Sequence, residues 1–130
     1  ADARTLADAF DGLARGLADS PRVLVHRDFQ SRNLMVPTGA DERLVIIDFQ
    51  DALQGTVVYD LVALLRDSYV ELADGEVDEL LGYYADRADV ADRKALRELF
   101  DRQTLQRKLK DAGRFVFIDR VRGNPSFLRW

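Results

Sequence analysis

The 130 residues are 47% hydrophobic and 32% charged, the balance of a folded globular chain rather than a disordered one. No apolar run approaches membrane-spanning length, no signal-peptide pattern opens the chain, and cysteine is absent, which excludes disulfides and thiolate metal sites. The formal net charge of −4 is uneven, with 8 Lys/Arg against 19 Asp/Glu over residues 1–92 and 11 against 4 over residues 93–130.

In chain order, Leu6, Phe10, Leu13 and Leu17 recur at helical spacing, and Ser20-Pro21 ends that helix. "RVLVH" reads as a short buried strand. "NLMV" and "LVIID" read as two more, joined by the turn-forming "PTGADER" into a β-hairpin. From Val57 the pattern turns helical, with Leu61, Leu64, Leu65 and Leu72 as its apolar positions and Ala73-Asp74-Gly75 as a break. Val77, Leu80, Leu81 and Tyr84 point inward from a following helix. A longer one, roughly Asp92 to Val121, carries Leu96, Leu99, Phe100, Leu105, Leu109 and Phe115 as its expected core stripe, and Gly123-Asn124-Pro125 stops it. One helix, a small group of strands and then helices alone make an α+β fold, mostly helical, which we read as a single domain over residues 1–130. The basic C-terminal part admits two readings: a solvated helical surface, or a site for an anionic ligand. It does not interleave aromatic with basic residues, so no nucleic-acid partner is expected. No membrane partner is expected either, and the protein reads as cytoplasmic.

The chemistry concentrates in "HRDFQSRN", which matches H-R-D-x-x-x-x-N with His26, Arg27, Asp28 and Asn33 in place. Phosphoryl transfer needs a carboxylate beside the attacking hydroxyl and an oxygen nearby to hold Mg²⁺, and a short loop between strands can aim both at one point. Asp48, in "VIIDFQD", stands at the end of an apolar strand, where a second carboxylate can bridge Mg²⁺ to nucleotide phosphates. His26 is expected to anchor the loop by hydrogen bonds rather than to transfer protons. Arg27 reads equally as a loop brace or a solvent-facing charge.

"VLVHRDFQSRNLMV", "LVIIDFQDALQGTVVYDLVALLRD" and "FDRQTLQRKLKDAGRFVFIDRVRGNPSFL" resemble the aminoglycoside phosphotransferase (APH)/choline kinase superfamily. Within it they look most like the bacterial anomeric sugar kinases that act on N-acetylmuramate and N-acetylglucosamine. The resemblance implies a protein-kinase-like fold, of which these residues form the C-terminal lobe, and an ATP- and Mg²⁺-dependent transfer to a small-molecule sugar. It implies Asp28 as catalytic base, Asn33 and Asp48 as metal ligands, and Asp60 as a brace for the catalytic loop. Asp60 also suits the first turn of the helix that follows, and the two roles are compatible. Asp51 matches the second acid of "DFQD" and is open to two readings, a sugar or metal contact and a turn former. Gln50 replaces the glycine of the protein-kinase "DFG", so a swinging metal loop is not expected. Gln30 stands where many protein kinases place a lysine and is a possible substrate contact. Arg32 is expected either to supply the missing positive charge or to lie on the surface.

The 25 residues before His26 contain no glycine-rich phosphate loop and no lysine; the lysines are Lys94, Lys108 and Lys110. Residue 1 is Ala and the single methionine is Met35, so we expect a trimmed start or a piece of something longer. On that expectation the nucleotide-covering lobe is absent and the isolated chain lacks turnover. An apolar surface where lobes meet would favour a homodimer or a domain swap. Two other functions stay open: a kinase of the same superfamily acting on an aminoglycoside or another small alcohol, and a non-catalytic sugar-binding or scaffold module.

Overall fold

The computed structural model describes residues 2–38 and 43–128, and the turn expected between Pro37 and Arg43 lies largely outside them. Helix α1 (Ala3–Ala18) opens on Asp2, whose carboxylate accepts from the backbone N–H of Thr5 at 2.8 Å and from its hydroxyl at 2.9 Å. These bonds, the backbone one first, hold the Asp2 carboxyl below its ordinary pKa, as an N-cap should. Strand β1 (Arg22–Val25) follows, then a 3₁₀ turn over Ser31–Asn33, and the hairpin strands β2 (Leu34–Met35) and β3 (Val45–Ile46). After them come β4 (Leu53–Thr56), α2 (Tyr59–Leu65), α3 (Asp74–Arg87) and α4 (Arg93–Arg122).

The expected hairpin forms: β2 and β3 pair antiparallel, Leu34 opposite Ile46 and Met35 opposite Val45. The partner of β1 is β4, a strand that the sequence pattern does not announce because "LQGT" is short and holds a glycine. Gly55 makes that pairing possible. A Cβ at Gly55 would stand 2.7 Å from Val25 Cγ2, so any side chain there would push the buried Val25 out of place.

The core lies among α2, α3 and the first half of α4. Val58, Val62, Val77 and Phe100 are wholly buried, joined by Leu65, Leu81, Ala85 and Leu96. Helix α2 ends at Leu65 rather than running on to Leu72, because the Asp67 carboxylate turns back to accept from the backbone N–H of Tyr69 at 3.1 Å. Along α4 the buried face is Leu96, Phe100, Gln103 and Arg107. Leu105 (53% exposed) and Leu109 (41%), expected in the core stripe, project away from that line. Gln103 is accommodated because Thr56 Oγ donates to its Oε1 at 2.8 Å, which ties β4 to α4. Arg97 on α4 pairs with Asp101 at 3.0 Å and with Asp78 on α3; those bonds, Asp101 first, raise its pKa and clamp the two helices together. Gly123, left-handed at φ 63°, ends α4 where expected.

Candidate active site

The loop between β1 and the 3₁₀ turn is held by carboxylates arriving from α2 and just beyond it. Asp60, in the first turn of α2, accepts from the backbone N–H of His26 (2.7 Å, Oδ2) and of Arg27 (3.0 Å, Oδ1). Arg27 has φ 74°, a left-handed conformation costing a non-glycine residue about 1–2 kcal/mol. Charge-assisted hydrogen bonds contribute about 1.5–3 kcal/mol each, so the Asp60 pair is enough to hold the strained bend. From the other side Arg107, 4% exposed on α4, donates to the Arg27 carbonyl at 3.4 Å. The guanidinium of Arg107 also lies 5.8 Å from the ring centroid of Tyr59 and has Asp111 3.9 Å away.

Asp67 is the second brace. Buried at 6% exposure, its Oδ2 accepts from Ser31 N–H at 3.2 Å and from Ser31 Oγ at 2.9 Å. Sequence reasoning missed it, because the pattern placed it within a continuing helix where an aspartate reads as solvated surface. Its seven-residue spacing from Asp60 is no signal of a shared helical face, because α2 stops at Leu65. Arg107 was likewise hidden inside the basic run "LQRKLK".

Between these braces Asp28 presents a carboxylate with no hydrogen bond or ion pair among the described residues, while its backbone carbonyl accepts from Gln30 N–H at 2.8 Å. Asn33 Nδ2 donates to that same carbonyl at 2.7 Å and reaches Asp48 Oδ2 at 3.4 Å. One amide thus ties the Asp28 loop to the loop after β3. Ile47 N–H, donating to the Asn33 carbonyl at 3.1 Å, makes a second tie. Asp48 is left-handed at φ 70°, and the Gln50 amide donates to its Oδ1 at 2.8 Å. Gln50, where protein kinases have glycine, therefore fastens the Asp48 carboxylate.

Other expected site residues lie around this centre. The His26 ring packs edge-on against Phe29, centroids 6.0 Å apart, and both its ring nitrogens are buried without a hydrogen-bond partner among the described residues. The hold on the loop at this position runs through the His26 backbone N–H. Arg32 stacks over the ring of Tyr69 at 3.5 Å, a cation–π contact that fixes its guanidinium beside the loop. Arg27 Nη1 donates to the Asp51 carbonyl at 3.4 Å and lies 4.0 Å from its carboxylate, which sets Asp51 against Arg27 at the rim. Gln30 and Asp28 form one wall of a cleft of about 170 Å³, completed by Tyr69 and by Asp111, Arg114, Phe115 and Ile118 of α4.

The donor set suits a hard cation. The carboxylate of Asp48 and the amide of Asn33 both carry oxygen donors and belong to one hydrogen-bonded group. Among the described residues no three His, Cys, Asp or Glu gather at one point. Among the described residues no helix is long and apolar enough to cross a membrane.

A mostly helical body with small antiparallel sheets is compatible with the kinase-like class of fold. A model of the APH phosphotransferase enzyme family matches residues 1–99, and the chain belongs to that family. It is 42% identical over 112 residues to the N-acetylmuramate/N-acetylglucosamine kinase of Neisseria meningitidis, an overlap covering 82% of this chain and 33% of that protein. Kinases of the same name from Pseudomonas putida (37% over 114 residues, 83% of this chain and 33% of theirs) and Pseudomonas aeruginosa (35% over 124, 91% and 36%) are also similar. The chain spans about a third of the length of the curated relatives it matches.

Proposed function

We propose that these residues form the acceptor-side part of a sugar kinase, with Asp28 as the base that takes the proton of a sugar hydroxyl as its oxygen attacks a nucleotide phosphoryl group. The observation carrying this reading is the Asn33 amide, which links the Asp28 backbone to the Asp48 carboxylate and so brings base and metal ligands to one point. The names of the relatives support an amino sugar, N-acetylmuramate or N-acetylglucosamine, as substrate; the acceptor in this reading is its anomeric hydroxyl. Asn33 and Asp48 would hold Mg²⁺, which neutralises phosphate charge when bound with ATP.

What the chain itself contributes is mostly positioning. Asp60, Asp67 and Arg107 hold the loop backbone, so that Asp28 is fixed before substrate arrives. Because the Asp28 carboxylate has no partner among the described residues, it is free to accept a proton from a hydroxyl seated in the cleft. Arg32, stacked on Tyr69, offers a fixed positive charge at the edge of the same loop.

The test is phosphate transfer from ATP to each sugar by the protein encoded by the whole reading frame that contains these residues. Asp28→Asn should lower kcat by about 10²- to 10⁴-fold, the range of a positioned general base, with the thermal unfolding midpoint unchanged. An Asp28→Asn enzyme with undiminished kcat would remove Asp28 from the role of base.

A further inference from the structure

The cleft beside Asp28 has an α4 wall whose four residues, Asp111, Arg114, Phe115 and Ile118, are spaced i, i+3, i+4 and i+7 and so share one helical face. Phe115 and Ile118 offer an apolar surface of the kind that meets the face of a sugar ring. Two charges accompany them, and their surroundings differ. Asp111 lies 3.9 Å from the buried Arg107 and 3.8 Å from Lys110, so its negative charge is largely offset by its own helix. Arg114 has no hydrogen bond or ion pair among the described residues. It leaves a guanidinium uncommitted in the lining of a pocket whose other charged members are Asp111 and the unpartnered Asp28.

A volume of about 170 Å³ lies below the roughly 300–1,000 Å³ of sites for drug-sized ligands, and suits a single sugar ring rather than an oligosaccharide. The two candidate sugars differ in one respect that such a cleft can read. N-acetylmuramate carries a carboxylate on its lactyl ether, and N-acetylglucosamine carries a hydroxyl there and is neutral. Near two aspartates a sugar carboxylate is repelled unless a cation meets it, and a guanidinium meets a carboxylate with two parallel hydrogen bonds.

Resting on the sugar-kinase reading above, we infer that Arg114 is the specificity-determining residue that binds the carboxylate of an acidic amino sugar and sets the preference for it over its neutral counterpart. The basic character of the C-terminal helix, open to two readings from sequence, thereby gains a ligand at one position.

The experiment compares kcat/KM for N-acetylmuramate and N-acetylglucosamine in the whole protein and in its Arg114→Gln and Arg114→Lys variants. A charge-assisted hydrogen bond at a partly solvated site corresponds to about a tenfold change in affinity. The acid-over-neutral ratio should therefore fall about tenfold in Arg114→Gln, through KM rather than kcat, and recover in part in Arg114→Lys. If both sugars are phosphorylated by the wild type and the ratio stays the same in Arg114→Gln, the assignment of Arg114 fails while the sugar-kinase reading stands. If the wild type phosphorylates neither sugar, the reading and the assignment fall together.

Discussion

The helical body and the β2–β3 hairpin hold their shapes by different means. In the body Val58, Val62, Val77 and Phe100 are sealed from water, and each is fixed by the packing of three helices around it. In the hairpin, strands of two residues each carry Met35, Val45 and Ile46 about half exposed, and Phe49 just beyond them is 70% exposed. Burial does little for the hairpin. Its place is set by strand pairing and by the polar ties from Asn33 to the Asp28 carbonyl, from Ile47 to the Asn33 carbonyl and from Gln50 to Asp48. The proposed base and metal ligands thus sit where these two kinds of order meet. The Asp28 loop is braced from the body by Asp60, Asp67 and Arg107, whereas among the described residues the Asp48 loop is fastened to Asn33 and Gln50.

The largest effect expected on this contrast comes from emptying the body. Phe100→Ala removes a side chain with no solvent exposure from the middle of the core, and such truncations cost about 3–5 kcal/mol. Urea unfolding of the whole protein should show a loss in that range. A loss below about 1 kcal/mol would mean that the core collapses around the gap and that the body is less rigid than its packing implies.

A smaller, local effect is expected where body and loop join. Asp60→Ala strips acceptors from the N–H groups of His26 and Arg27 and leaves the left-handed Arg27 without its main support. Leaving buried donors unpaired costs about 1–3 kcal/mol, less than the Phe100 truncation. The consequence should concentrate in the loop: amide hydrogen exchange at His26 and Arg27 accelerates while that of α3 keeps its protection. Exchange rising equally in both places would show that Asp60 supports the whole body rather than the loop.

The same contrast explains what was legible in the sequence. Helices α1, α3 and α4 announce themselves because a 3.6-residue period, capping residues and Gly123 all agree. The hairpin is legible from two apolar runs around a turn. Strand β4 is not, because its place depends on Gly55 fitting against Val25, a contact between residues thirty positions apart that no local pattern encodes. Asp28, Asn33 and Asp48 are legible through their spacing, and the structure sets Asn33 between the other two. Asp67 and Arg107 are illegible for the opposite reason. A lone aspartate or arginine in a helical run ordinarily faces water, and their burial follows from where α2 stops and which face α4 turns inward.

The smallest effect is expected at the hairpin's exposed end. Phe49 stands between Asp48 and Gln50, its ring 70% open to solvent, and its backbone carbonyl accepts from Ala52 N–H at 3.1 Å. Phe49→Ser keeps that backbone bond and removes a ring that touches little within these residues. Its cost should stay within about 0.5 kcal/mol, the range of surface substitutions, when the whole protein is unfolded in urea. Because Asp48 is fastened by Asn33 and Gln50 rather than by packing, transfer activity should change less than in Asp60→Ala. A cost of 2 kcal/mol or more, roughly that of fully burying such a side chain, would break the contrast. It would mean that the apolar face of the hairpin is covered by protein outside these 130 residues, and that the metal-ligand loop is set by packing after all.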